Sequence, residues 1–85
     1  MKATIYKIKD GNDTIVGTIS LDDSDKLSAT PSDNKLLNRI ISLPVSEMGS
    51  GRDVDPKKEP RVWLTNLHTH YRSAYLRASK VEIPD

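Results

Sequence analysis

His68-Thr69-His70 holds both histidines of the chain and is the natural place to look for metal or acid–base chemistry. Two ligands must point at one ion. Residues i and i+2 share a face on a strand, but on a helix they diverge by about 200°, and helical metal pairs use i, i+4. The apolar spacing around this pair places it at the end of a helix, where imidazole suits the negative end of the helix dipole. A third ligand would have to come from Asp53, Asp55 or Glu59. With no cysteine there is neither a thiolate site nor a disulfide framework. The expectation is no metal and no cofactor, with His68 and His70 serving structure.

Other signals for catalysis are thinner. Gly49-Ser50-Gly51-Arg52 has the glycines of a phosphate-cradling loop. It lacks the Gly-Lys-Ser/Thr ending that runs into a helix. Ser50 does not sit in a Gly-x-Ser-x-Gly elbow. Asp22/Asp23 and Asp53/Asp55 pair carboxylates, but in turn contexts where they read as solvated acids. No catalytic residue is assigned.

The C-terminal third is richer. In Tyr71 to Lys80, a strand that turns Ala74, Leu76 and Ala78 to the core would set Tyr75, Arg77 and Ser79 on the other face. Trp63 lies upstream at helical spacing with Leu67, as a core residue or an interface anchor. Interfaces favour Trp, Tyr and Arg. The predicted interaction surface therefore runs through Trp63, Tyr71, Tyr75 and Arg77. The same stretch offers an alternative. Arg72, Tyr75, Arg77 and Lys80 combine an aromatic ring with cations, the pairing that stacks bases and neutralises phosphate. The signature of the RNA-recognition fold is absent.

Charge weighs on that choice. The chain carries 13 Lys and Arg against 12 Asp and Glu, a net +1. Residues 1–34 sum to −2, residues 35–55 to 0 and residues 56–85 to +3. This is a modest asymmetry, far from a polyanion-binding tail. No stretch approaches the roughly 18 apolar residues that span a bilayer. The opening Met1 to Lys9 has charges throughout and does not read as a secretory signal. Cytoplasmic location without membrane attachment is the expectation.

Eighty-five residues suit one domain over 1–85. Seven Ile, eight Leu and five Val supply a core with little margin, which makes self-association attractive.

The elements follow from periodicity. Residues 3–9 and 14–21 alternate, with turn residues Asp10-Gly11-Asn12-Asp13 between them, and predict a hairpin. On the second strand Ile15, Gly17, Ile19 and Leu21 fall on one face, and Gly17 suggests a bulge or a close backbone approach. Lys26 to Thr30 reads as a short third strand. Thr30 as cap and Pro31 at the first position predict a helix over 31–42, with Leu36, Leu37, Ile40 and Ile41 as its stripe. Residues 44–59 read as a mobile surface loop, pinned by Val54. Pro60 opens a second helix that ends near His70 or Tyr71, and residues 74–82 form a last strand closed by Pro84. The predicted fold is α+β, in the order β-β-(β)-α-loop-α-β, with a small antiparallel sheet and two helices on one face.

Three functional readings follow. The first is a non-enzymatic protein-interaction module, homodimeric or a subunit of an assembly. The second is a weak nucleic-acid-binding protein using the basic and aromatic C-terminal strand. The third is a small metal-dependent or hydrolytic enzyme using His68 and His70.

Overall fold

A computed structural model describes residues 1–83. The chain forms an α+β fold. Strands β1 (Lys2–Lys9), β2 (Asn12–Leu21) and β3 (Leu27–Thr30) are followed by helix α1 (Lys35–Ile40). A small hairpin of β4 (Val45–Ser46) and β5 (Asp53–Val54) comes next. Helices α2 (Pro60–Thr65) and α3 (Leu67–His70) then lead into β6 (Leu76–Ala78). The main sheet is antiparallel with order β3-β2-β1-β6, so the last strand closes onto the first. Pro84 lies outside the described residues.

One face of this sheet makes the core. Ala3 and Ile5 on β1, Ile19 and Leu21 on β2 and Ala78 on β6 are buried against Leu37, Ile40, Trp63, Leu64 and Leu67 of the helices. Leu27 and Ala29 on β3 add to the same side. Cross-strand partners share a face. Ile5 opposes Ala78, Ala3 opposes Ile19 and Leu21 opposes Leu27, which is why the buried set is continuous across four strands.

Gly17 is the tight point. The register of β1 on β2 shifts between Ile5 and Tyr6, so Ile5 opposes Gly17 but Tyr6 opposes Ile15. Val16 is the extra residue of a bulge, as Gly17 led us to expect. Close approach is present as well. A Cβ on Gly17 would stand 2.2 Å from the Thr30 carbonyl oxygen and 2.7 Å from Leu37 Cδ1. Only hydrogen fits between β3 and α1 here. The bulge also corrects the predicted face. Ile15 does not share a side with Ile19 and Leu21. The inserted residue reverses the alternation, and Ile15 is 67% exposed.

The helices are shorter than their periodicity suggests. α1 begins at Lys35, not Pro31, because Thr30 is consumed as the last β3 residue, paired to Thr18. The cap is Asn34, whose Oδ1 accepts the Leu37 N–H at 3.0 Å. The second predicted helix is two. Asn66 ends α2 with backbone angles of −97° and 0°, and its Nδ2 donates back to the Val62 carbonyl at 2.8 Å. Pro60 does open α2. β6 is shorter than the predicted 74–82. Beyond Ala78, Ser79 donates to the Thr4 carbonyl and Glu82 rejoins Lys2 by a single bridge.

The stretch 44–59 is held at both ends. Val45 and Val54 oppose each other, and both are buried in the core cluster. Trp63, fully buried, donates from its indole nitrogen to the Leu43 carbonyl at 2.8 Å. The bond satisfies a donor that burial would otherwise leave costly. It also ties α2 to the connection leaving α1. Among the described residues, no helix is long and apolar enough to cross a membrane.

Gly17→Ala is expected to lower folding stability by about 3 kcal/mol, since backbone must move to admit the methyl group. A urea denaturation midpoint shift at unchanged slope measures it. Stability within 1 kcal/mol of the parent would show that the approach of Thr30 and Leu37 is not tight.

Candidate interaction surface

The other face of the sheet carries no helices. Its residues fall into ranks across the strands. Tyr6 opposes Ile15 on one side and Arg77 on the other. In the next rank Ile8 opposes Asp13, and its N–H donates to the Tyr75 carbonyl at 2.9 Å. Behind Tyr6 lies a hydroxyl rank, Thr4, Thr18 and Thr30, with the Thr4 N–H donating to Ser79 Oγ at 2.8 Å. The face is thus divided. Tyr6, Ile8, Ile15 and Tyr75 make an apolar half, and threonines and serines make a polar half. Tyr75 is 77% exposed.

The charges on this face are answered on the face. Arg77 forms an ion pair with Asp13 across the intervening β1 strand. Its guanidinium carbon also lies 4.7 Å from the centre of the Tyr6 ring, a cation–π contact. Lys2 pairs with Glu82 at 3.8 Å near the opposite end. Arginine here is a clamp across three strands, not an isolated cation.

The predicted surface residues divide between layers. Arg77 stands on β6 opposite Tyr6, and Tyr75 lies exposed in the bend just before that strand, its carbonyl accepting the Ile8 N–H. Trp63 does not join them. It is wholly enclosed in the core, because α2 turns its apolar stripe onto the sheet. Tyr71 packs against that core from the helix side, edge-on to His70 with ring centres 4.8 Å apart. Burial pushes its phenol above 10. Of the nucleic-acid alternative, Arg72 bridges to Arg77 beyond β6, and Lys80 is exposed.

Of the two histidines, His70 is an anchor. His70 Nδ1 accepts the Ser46 N–H at 3.2 Å, and Asn66 Oδ1 accepts the Met48 N–H at 2.9 Å. Together they fasten the β4–β5 hairpin to the α2–α3 corner. His68 Nδ1 is enclosed and without a hydrogen-bond partner among the described residues. No group of three or more His, Asp or Glu among the described residues is arranged to hold a metal ion.

The hairpin has its own electrostatic staple. Arg52 reaches Glu59 at 2.7 Å and Glu47 at 3.0 Å, while Ser50 Oγ donates to Glu47 at 2.8 Å. The two carboxylates hold the guanidinium charged, and the Arg52 and Ser50 hydrogen bonds hold the Glu47 carboxyl below its usual 4.5. Glu59 stands at the N-cap of α2 without capping it, its carboxylate being engaged by Arg52. The Gly49-Ser50-Gly51-Arg52 stretch is the tip of this hairpin. A shallow depression of about 390 Å³ near Leu27 and Ile41 adds Lys57 and Asp25, the latter already paired with Arg61 at 3.1 Å.

No family model, curated protein or solved structure matches this chain.

The missed members of the open face are Tyr6, Ile8, Asp13 and Ile15. For Asp13 and Ile15 on β2 the available signal is Gly17, because a bulge at that point reverses the side chains before it on its own strand.

A carboxyl-resolved NMR titration tests the staple. A carboxylate whose folded pKa is depressed keeps its partner above the unfolded value and loses it as pH falls through the folded one. The Glu47–Arg52 pair should therefore persist from neutral pH down to about 4.5 and be lost only in more acid solution. In Arg52→Gln the Glu47 midpoint should return towards 4.5. A Glu47 midpoint unmoved by that substitution would rule out the staple.

Proposed function

We propose that the protein is a non-enzymatic interaction module whose contact surface is the open face of the sheet, and that its partner is a protein. The observation that supports this most is the exposure of Tyr75 and Ile15 beside Tyr6 and Ile8, on a face with no covering layer. Scattered apolar residues on a surface are ordinary, but a contiguous patch marks a contact site. Tyrosine and arginine at the centre of such a patch are the residue types that anchor protein interfaces.

The charge arrangement favours protein over nucleic acid. A phosphate approaching Arg77 would compete with the Asp13 carboxylate already there. Base stacking on Tyr75 would gain little from the field of a chain that is only +1.

The reading predicts that the patch is dispensable for folding. Tyr75→Ser and Ile15→Ser should each change stability by no more than about 0.5 kcal/mol. Leu64→Ala, in the core, should cost about 2–5 kcal/mol. A cost above about 2 kcal/mol for either face substitution would make those side chains structural and overturn the reading. So would salt-dependent binding of a single-stranded oligonucleotide that Arg77→Ala abolishes, which would favour the nucleic-acid alternative.

A further inference from the structure

The single turn α3 carries two imidazoles, and each needs its Nδ1 free of a proton for a separate reason. His70 Nδ1 is an acceptor. It receives the Ser46 N–H at 3.2 Å, and with the bond from the Met48 N–H to Asn66 this holds the hairpin to the α2–α3 corner. A backbone N–H can only donate. A proton on His70 Nδ1 sets donor against donor, and the bond is lost. His68 Nδ1 is enclosed and has no hydrogen-bond partner among the described residues. An unpaired lone pair there is tolerable, but an unpaired N–H carrying positive charge costs far more.

We propose that α3 is an acid-sensitive latch on the β4–β5 hairpin, closed while both imidazoles are neutral and loosened when they take up protons from solvent. Histidine is the side chain whose charge changes between about pH 5 and 8. The charged and titratable groups around α3 offer an imidazolium little compensation. The elements packed against it are α2, β4 and β6. β4 carries no such group. On α2 there is Arg61, paired with Asp25, and on β6 there is Arg77, paired with Asp13. Tyr71, edge-on to His70, is a phenol that burial keeps neutral, and the cation Arg72 follows it. Glu47, which adjoins Ser46, is held by Arg52 and Ser50, and Glu59 before α2 is held by the same guanidinium. A single turn also sums few peptide dipoles.

The open form therefore binds more protons than the closed one, and the closed form loses ground as pH falls. The loosening is partial. Val45 and Val54 remain as apolar anchors in the core, and the Asn66–Met48 bond does not titrate. None of this involves the open face of the sheet, so the latch stands apart from the contact reading.

Hydrogen exchange followed by NMR from about pH 7.5 to about pH 5.5 reads the latch, with each amide's rate taken against its unprotected rate at the same pH. Over this range Glu47 stays ionised and its pair with Arg52 is intact. Ser46 protection should fall by about two- to tenfold, the worth of one hydrogen bond, while the amides of β1 and β2 keep theirs. His70→Asn presents Oδ1, an acceptor that takes no proton, as many bonds from the backbone as Nδ1. With His68→Leu beside it, Ser46 protection should no longer depend on pH. The ring nitrogen spectrum of the unaltered protein supplies a second measurement, since the loss should follow protonation of His70 Nδ1. Ser46 protection unchanged across the range overturns the latch. So does an equal loss in the double variant, a loss shared by β1 and β2, or a loss that sets in before His70 Nδ1 is protonated.

Discussion

No side chain beyond hydrogen fits at position 17, and much of the molecule is arranged around that fact. The Thr30 carbonyl and Leu37 close over the bare backbone, which lets β3 and α1 settle tightly on β2. The same point carries the bulge. One inserted residue changes which way the outer half of β2 looks. Ile19 and Leu21 go into the core, and Ile15 goes to the opposite side. Without the bulge, Ile15 would extend the buried face. With it, the sheet has a second apolar patch, built from the half of the hairpin nearest the turn.

The helical side solves a different problem. Its elements are short, and turns of four to six residues have little stability of their own. They are held by polar ties to the connecting segments. Trp63 donates to Leu43, Asn66 receives Met48, and His70 receives Ser46. Each tie links the α2–α3 corner to the segment between α1 and β5. Of the two histidines on α3, His70 is engaged with the Ser46 backbone in this way.

Much of the architecture is legible in the sequence. The alternation of residues 3–9 and 14–21, the turn residues at 10–13 and the helix-opening Pro60 all reflect local rules that the fold obeys. The parts that are not legible depend on long-range partners. Thr30 and Asn34 are both good caps, and only the pairing of Thr30 with Thr18 decides between them. Val45 and Val54 look scattered until they face each other across a hairpin. Alternation holds over Leu76, Arg77 and Ala78 but not before them: Ala74, expected to face the core, is exposed in the bend that precedes β6. Trp63 has the composition of an interface residue, but the helix that carries it turns it inward. Asp13, Tyr6 and Ile15 join the site only through strand pairing, which period-2 reasoning within one strand cannot supply.

The enclosed indole has a spectroscopic consequence. Trp63 is the chain's only tryptophan, shielded from water and bonded to a carbonyl. Its emission should lie to the blue of an exposed indole's and should move red when the core opens. Two of the three tyrosines, Tyr6 and Tyr75, lie on the other side of the sheet. A change in tyrosine signal that Tyr71→Phe leaves in place, with tryptophan emission held constant, would report an event at Tyr6 or Tyr75. The protein carries its own means of telling the loosening of its core from the covering of its surface.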